Sequence, residues 1–323
     1  MTSDIVLVPS LEANGVLRVM VLRKVNSSLL GLSHANNAIS SSYLDIQRLM
    51  NERFDNPPLV ELVAELRWKD LSVPTGMPIG FPAGFPFPGS QVAFDQQLPE
   101  MTSAMTGLGF GQSERLIPAG FPAPPETPIV RYRYSGGSDG NRGQLPSTLF
   151  QIGNGIFTAN AVKPYKSWDD FRPVVEQGVR VLLETQKSQI AGYSLVLRYI
   201  DAFRDDLTDG MSHLDFLKNV FGFGIELPAV LTKHAQSQAV ELPMAQFSIP
   251  LAFGSLLLQM TQGEIDGGKA YILENVVQIE GLASANAEAI MESFSKARDV
   301  IHDVFVNLSA PIRDKMIPVE VSR

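Results

Sequence analysis

Apolar and polar residues alternate most regularly between Leu59 and Trp68, where every second side chain is hydrophobic. A period of two with one apolar face is typical of an antiparallel strand that is covered on one side. The pair Pro57-Pro58 keeps a helix from running into this segment. We therefore expect a strand with two different faces. The core face carries Val60, Leu62, Ala64, Leu66 and Trp68, and the other face carries Glu61, Val63, Glu65 and Arg67.

The chain before this strand has a different character. Alternating residues surround Asn14-Gly15, a dipeptide typical of two-residue hairpin turns. Residues 25–42 are rich in Ser and Asn and show no clear period. We predict that residues 1–49 are an N-terminal extension made of a hairpin and a linker. Met50 leaves a second interpretation open, in which translation starts there and the extension is not part of the mature protein.

Residues 72–129 form a compositional island that holds 11 of the 22 prolines of the chain and six phenylalanines. Because proline removes a backbone donor and fixes φ, we expect neither a helix nor a central strand here. The pentapeptide PAGFP occurs twice and places Phe85 and Phe121 in equivalent motifs. We predict an insertion whose phenylalanines lie on the body of the protein or on a partner. The alternative is a flexible apolar insertion without a role.

After the island, the pattern returns to strands and then changes to a helix. Residues 129–134 alternate as a strand, and residues 149–162 read as a hairpin that turns at Gly153-Asn154-Gly155. Ser167, with Asp170 three residues later, is a helix N-cap pattern. Since proline disturbs helix interiors, we expect one short turn before Pro173 and the main helix after it.

The second half of the chain repeats this order of elements. Residues 194–203 read as a strand, and their motif Leu-Arg-Tyr-Ile-Asp resembles Leu-Arg-Trp-Lys-Asp at residues 66–70. Two more strands are predicted at residues 243–260 and 269–279, with a turn at Asp266-Gly267-Gly268 before the second. Apolar residues at three/four spacing predict a long helix over residues 284–308. We therefore predict an α+β fold of two pseudo-repeated units, each made of antiparallel strands followed by one long covering helix.

The predicted boundaries follow from this repetition. The first α+β unit spans residues 50–190 and contains the insertion at 72–129. The second spans residues 191–323 and ends in the long helix. The two units would share antiparallel sheets, and one long helix would cover each unit.

Composition narrows the function classes. Of the 323 residues, 45% are hydrophobic, so the chain has enough apolar material for a sizeable core. The absence of cysteine excludes disulfides, thiolate metal sites and cysteine nucleophiles. The net charge of −8 argues against nucleic acid as the main partner. No apolar run reaches the ~18 residues of a membrane span, and the first residues lack a secretory signal, so we expect a cytoplasmic protein.

No motif of established chemistry is complete. The four histidines do not have metal-binding spacing. The acidic turn Asp205–Gly210 resembles the start of a calcium loop, but Leu207 and Phe216 occupy positions that need oxygen ligands. The sequence therefore predicts no catalytic residue, no metal ligand and no cofactor.

Two groups of residues are candidate binding sites. Glu61, Glu65 and Arg67 share one strand face, and Arg198 lies on the strand with the related motif. Paired carboxylates can do acid–base work when burial separates their pKa values. The alternative is cross-strand salt bridging on an open sheet face.

The second group surrounds the start of the helix after residue 166. Tyr165, Trp168 and Arg172 are residue types that commonly anchor protein interfaces. The alternative is that Trp168 and Phe171 only fix the helix to the sheet.

Several blocks of the chain resemble a known family. NPPLVELVAELRW, LPSTLFQIGNGIFTANAVKPYKSWDDFRP and LVLRYIDAF, together with a final helix near DVFVNLSAPIRDKM, are similar to an uncharacterised, sporadically distributed prokaryotic protein family. The resemblance covers residues 51–317 and transfers no catalytic residues. It implies an accessory or mobile-element gene, with defence as one setting.

These observations lead to two functional hypotheses. The first is a non-enzymatic interaction protein or complex subunit, with a protein partner or self-association and without a membrane. The second is a small-ligand-binding protein or an enzyme that uses a charged pocket on the sheet face, lined by Glu61, Glu65, Arg67 and Arg198.

Overall fold

The fold is known from a computed structural model of the chain. The described residues are 5–11, 17–23, 53–70, 88–119, 121, 123–124, 126–135, 147–162, 167–186, 190–225, 228–233, 242–282 and 286–319. The chain divides into two compact units, Met1–Arg48 and Leu49–Arg323. In the first unit, strands β1 (Ile5–Leu11) and β2 (Leu17–Arg23) form an antiparallel pair in which Leu11 lies opposite Leu17. The predicted turn at Asn14-Gly15 lies outside the described residues.

The second unit is built on one antiparallel sheet. The order of strands across it is β4-β5-β6-β7-β3-β8-β11-β10-β9. The strands are β3 (Leu59–Asp70), β4 (Gln112–Arg115), β5 (Pro128–Arg133), β6 (Thr148–Gly153), β7 (Ile156–Val162), β8 (Ile190–Phe203), β9 (Met244–Leu251), β10 (Gly254–Ile265) and β11 (Gly268–Leu282).

Helices connect and cover these strands. The three long ones contribute side chains to the same apolar core. The helices of the described residues are α1 (Pro88–Gly107), α2 (Trp168–Thr185), α3 (Asp205–Thr208), α4 (His213–Asn219), α5 (Ala229–Thr232) and α6 (Ala287–Leu308), followed by a 3-10 helix at Ala310–Met316.

The prediction of two repeated strand-plus-helix units is wrong. The first and second halves share one nine-stranded sheet, because β3 and β8 pair with each other at its centre. Leu66 lies opposite Leu195 and Ala64 lies opposite Leu197 across this pair. Side chains of both halves enter one core under α1, α2 and α6, and a second, smaller core around Phe203 and Phe216 is built from the second half.

The two faces of the sheet differ as alternation requires. Leu62 and Leu66 of β3 are fully buried on the side that the long helices cover. Glu61 and Arg67 alternate with them and lie on the opposite side, which we call the open face although Glu65, Thr158 and Asn160 on it are buried. Trp68 is buried on the helix side and packs edge-on against Tyr193.

The expectation that the proline-rich island holds no helix is also wrong. α1 is a 20-residue helix within it. Pro88 takes the first position, where a missing N–H costs little, and Pro99 alone lies inside. Phe94, Met101 and Met105 recur at helical spacing, and all three are buried in the core. Burial of this face stabilises the helix despite its proline.

Two boundaries differ from the sequence-based expectation as well. α2 begins at Trp168 and continues through Pro173, with the Ser167 side chain accepting a hydrogen bond from the backbone N–H of Asp170. Pro173 is the sixth residue of α2, beyond the four N-terminal N–H groups without an intrahelical acceptor, so it removes one helical hydrogen bond, and burial of Phe171, Val174 and Val175 stabilises the helix across it. The segment expected as one strand at residues 243–260 is instead the hairpin of β9 and β10, which turns at Ala252-Phe253.

Candidate interaction surface

The outer edge of β9 is the most exposed apolar feature of the described sheet. Among the described residues, β9 pairs with β10 alone. The exposed fraction is 52% for Met244, 40% for Phe247 and 45% for Ile249, and Phe253 in the adjoining turn is 38% exposed. A flat, apolar edge strand presents unpaired backbone groups to any second strand that approaches. We call this feature the β9 edge.

A tight hairpin holds the β9 edge in place. Leu251 and Gly254 are direct partners on either side of the two-residue turn. A Cβ at Gly254 would lie 2.1 Å from the carbonyl oxygen of Gln278, so glycine is needed where the hairpin approaches β11. Phe223 stacks on Phe247 with ring centroids 5.0 Å apart and an interplanar angle of 13°. This contact orients the Phe247 ring while leaving much of it in water.

The strands at the two edges of the sheet differ in charge and in length. Residues 242–263, which include all of β9, contain no Asp, Glu, Lys or Arg. At the opposite edge, β4 is only four residues long and ends in Glu114-Arg115. Glu114 lies 3.5 Å from Arg131, and Arg115 donates to Asp95 at 3.0 Å. Short length and charge are the usual protection of an edge strand, and β9 has neither.

The open face carries the first group of predicted binding residues. Glu61 and Glu65 lie on β3, four residues apart, opposite Val162 and Thr158 of β7 and on the same face as Arg67. The Asn160 amide donates to Glu61 at 2.8 Å, and Thr158 donates to Asn160 at 2.7 Å. Each polar group here thus has a neighbour within the chain.

The remaining charges of this face are also paired. Arg67 donates to Glu65 and, at 3.1 Å, to Glu126. Partial burial alone would lower the pKa of Arg67, but these two carboxylates raise it above its usual value. Arg198 lies 3.0 Å from Glu274. The open face is therefore a set of ion pairs and amide bonds between neighbouring strands rather than a group of free charges.

The residues predicted around the start of α2 lie in different environments. Trp168 is 6% exposed and packs edge-on against Phe171, so its ring is part of the core and does not act as a surface anchor. Arg172 is half-buried and lies 3.4 Å from Glu176, one turn along the helix. Tyr165 lies outside the described residues.

The two phenylalanines of the repeated pentapeptide also differ. Phe121 is 62% exposed, whereas Phe85 lies outside the described residues. Phe94 and Phe110 of the same island are buried in the core. The described part of the island therefore packs mainly on the body of the protein.

A buried polar pair lies on the helix side of the sheet. Asp201 of β8 is 3% exposed, and burial raises its pKa to about 8. Asn275 of β11 is fully buried, and neither polar atom of its side chain has a hydrogen-bond partner among the described residues. Asp201 lies opposite Leu273, so it is a diagonal neighbour of Asn275 on this face. A neutral acid at this position avoids the cost of a buried charge.

Sequence reasoning missed the β9 edge and the buried pair. The signal for the first was the uncharged run at residues 242–263, which contains a glycine after two turn residues. The signal for the buried pair was strand alternation. Asp201 lies an even number of residues from Leu195 and Leu197, so its side chain is expected on the same face of the strand as theirs.

Within the described ranges, no three His, Asp or Glu side chains are grouped so that they could hold a metal ion. No described helix is long and apolar enough to cross a membrane. No protein-family model matches the chain, and no curated protein matches it.

Proposed function

We propose that this chain is a non-enzymatic interaction protein, acting as a subunit of a cytoplasmic complex in a prokaryotic accessory system such as one for defence. The observation that supports the proposal is the β9 edge, which has no second strand partner in the described part of the chain and exposes Phe247 and Ile249. Exposed apolar surface of this kind marks binding sites in soluble proteins. Strand addition at such an edge is a common mode of recognition.

The open face supports the small-ligand alternative less well. A catalytic carboxylate needs access to substrate and a pKa suited to proton transfer. Glu61 is held by Asn160, and Glu65 is held by Arg67. The Asn160–Glu61 bond joins neighbouring strands and the Arg67–Glu65 pair lies within β3, so both carboxylates already have structural partners.

The proposal is tested by comparing what the chain binds in cells with an intact and an impaired edge. Tagged wild-type protein and Ser248→Pro are expressed at the same level in the native host, and the assemblies are sized and their components identified. Ser248 is exposed on an edge strand, a position where proline is tolerated by the fold. We expect the wild type to be recovered in an assembly that Ser248→Pro loses. Equal recovery of the same assembly by both would show that the β9 edge is not the binding surface.

A matched control separates the edge from exposed phenylalanine in general. Phe247→Lys and Phe121→Lys are the same change on two exposed rings, of which only Phe247 lies on the β9 edge. The first should release the bound component and the second should not. Release by both would indicate binding driven by nonspecific apolar surface.

A further inference from the structure

We propose that the β9 edge binds the β9 edge of a second copy of this chain, so that two nine-stranded sheets join across a twofold axis. The inference rests on the proposed function and names its partner. An antiparallel strand edge is complementary to itself under a twofold rotation, which is the commonest symmetry of homo-oligomers. The protein would then present one continuous sheet through both copies.

The backbone of β9 shows which groups point outward. Leu251 pairs with Gly254 across a two-residue turn, so the polar groups of Leu251 point to β10. Farther along, the backbone N–H of Gln262 donates to the carbonyl oxygen of Pro243 at 3.3 Å. The N–H and C=O groups of the odd-numbered residues of β9 thus point to β10, and those of the even-numbered Gln246 and Ser248 point to the edge that has no partner strand among the described residues.

One register uses this edge to its full length. If the axis passes beside Phe247, the segment 244–250 pairs with itself, and Gln246 lies opposite Ser248 of the partner subunit. The outward groups of these two residues can then form two hydrogen bonds at each of two symmetry-related positions. Pro250 has no N–H, but its carbonyl oxygen accepts from Met244 at the end of the ladder. Proline therefore limits the pairing to this segment instead of preventing it.

The distribution of charge favours a second copy at this edge. With a net charge of −8, two copies repel each other when approached at random. A twofold axis brings identical residues together, so a charged edge would oppose itself. Residues 242–263 carry no charge, whereas the β4 edge carries Glu114 and Arg115. Of the two described edges, the β9 edge is the one that can meet its own copy without like charges in contact.

The exposed area approaches what a stable pair needs. Side chains of this size present about 150–250 Å² when fully exposed, so Met244, Phe247, Ile249 and Phe253 leave on the order of 80 Å² each. Over two copies these four expose roughly 640 Å². The strand backbone and the side chains of Gln246 and Ser248 bring the total near the ~1,000 Å² of a specific interface.

The chain has no cysteine, so a single introduced thiol tests the register. In Phe247→Cys the two thiols lie directly opposite each other in a non-hydrogen-bonded pair, about 4.5 Å apart between Cα atoms. This separation is within the range of a disulfide. In the control Ala245→Cys, on the same face, the two copies of residue 245 are four residues out of register, or about 13 Å apart. A disulfide cannot form over that distance without backbone movement.

We expect Phe247→Cys to give a covalent dimer under mild oxidation and Ala245→Cys to stay uncrosslinked, as seen on non-reducing gels. The double variant with Ala245→Cys and Ile249→Cys should crosslink again, because these positions face each other. In sedimentation equilibrium, the wild type should dimerise and Ser248→Pro should dimerise at least about tenfold more weakly, since two hydrogen bonds are lost. Unchanged far-UV circular dichroism of each variant establishes that it is folded.

A wild-type chain that stays monomeric at all concentrations would overturn the proposal, as would equal crosslinking of the two single variants. If the wild-type chain is monomeric but binds a different protein that Ser248→Pro does not bind, then the partner is not a second copy of this chain, and the proposed function stands. If the chain is monomeric and both strains recover the same material, both proposals are wrong.

Discussion

Replacing Asp201 with asparagine tests whether the core of the sheet holds a protonated acid. The pKa of this carboxyl rises from an ordinary 3.8 to about 8 because the side chain is buried. Between these two values the folded state keeps a proton that the unfolded state has released. The free energy of unfolding therefore falls as the pH rises from about 4 through about 8, by up to about 1.4 kcal/mol per pH unit. The stabilising contribution is complete below pH 4 and is lost above pH 8.

The magnitude can be stated for a practical range. Between pH 5.5 and pH 8.0 the Asp201 carboxyl should lower the free energy of unfolding by about 3 kcal/mol. In Asp201→Asn this loss is absent, because the amide does not titrate and keeps a similar size and polarity. Urea unfolding at the two pH values measures the difference. The wild type should lose about 3 kcal/mol more than the variant over this interval.

The exposed Asp55 provides the control. Asp55→Asn is the same chemical change on an exposed side chain, and it controls for the loss of one carboxylate. If Asp201→Asn and the wild type lose equal stability between the two pH values, the carboxyl is ionised in the folded state and the reasoning is refuted. Equal effects of Asp55→Asn and Asp201→Asn would also contradict it.

Further predictions concern the fold, and each is read from urea unfolding. Leu66→Ala should cost about 2–5 kcal/mol because the side chain is fully buried, whereas Val63→Ala on the open face should cost less; equal costs would mean that the faces are wrongly assigned. Ser167→Ala should cost about 1 kcal/mol through loss of the α2 cap, and no loss would show that Asp170 caps the helix without it. Gly254→Ala should destabilise the β9–β10 hairpin, because its Cβ would meet the Gln278 backbone, and an unchanged midpoint would contradict this close approach.

Local signals in the sequence predicted individual elements well. The alternation of β3 depends only on adjacent residues, and the turn at Asp266-Gly267 follows from residues that adopt positive φ easily. The apolar spacing of α6 is likewise a property of one segment. Each of these elements is present in the structure near its expected position.

Pairing across the sheet was not predictable in the same way. Nothing in β3 alone shows that its neighbour is β8, so the two halves were expected to be repeated units rather than parts of one nine-stranded sheet. α1 was missed because its prolines outweighed the helical spacing of Phe94, Met101 and Met105. Tertiary burial stabilises this helix, and propensity is a weak guide when burial is extensive.

The candidate site was missed for a related physical reason. The turn at Ala252-Phe253 has no residue typical of turns except the glycine after it, so β9 and β10 were read as one strand. An edge is also a property of the whole sheet, since it depends on which strand has no neighbour. The open-face residues were identified from alternation, but their pairing with Asn160, Glu126 and Glu274 depends on register.

Amide hydrogen exchange resolved at single residues of β9 tests most directly whether the β9 edge is the interaction surface. The odd-numbered Phe247 and Ile249 donate toward β10 and should be protected in both dilute and assembled protein. The even-numbered Gln246 and Ser248 point outward, so they should exchange rapidly in dilute protein and slowly once the assembly forms. Gln246 and Ser248 amides that exchange equally fast in both states would contradict the account.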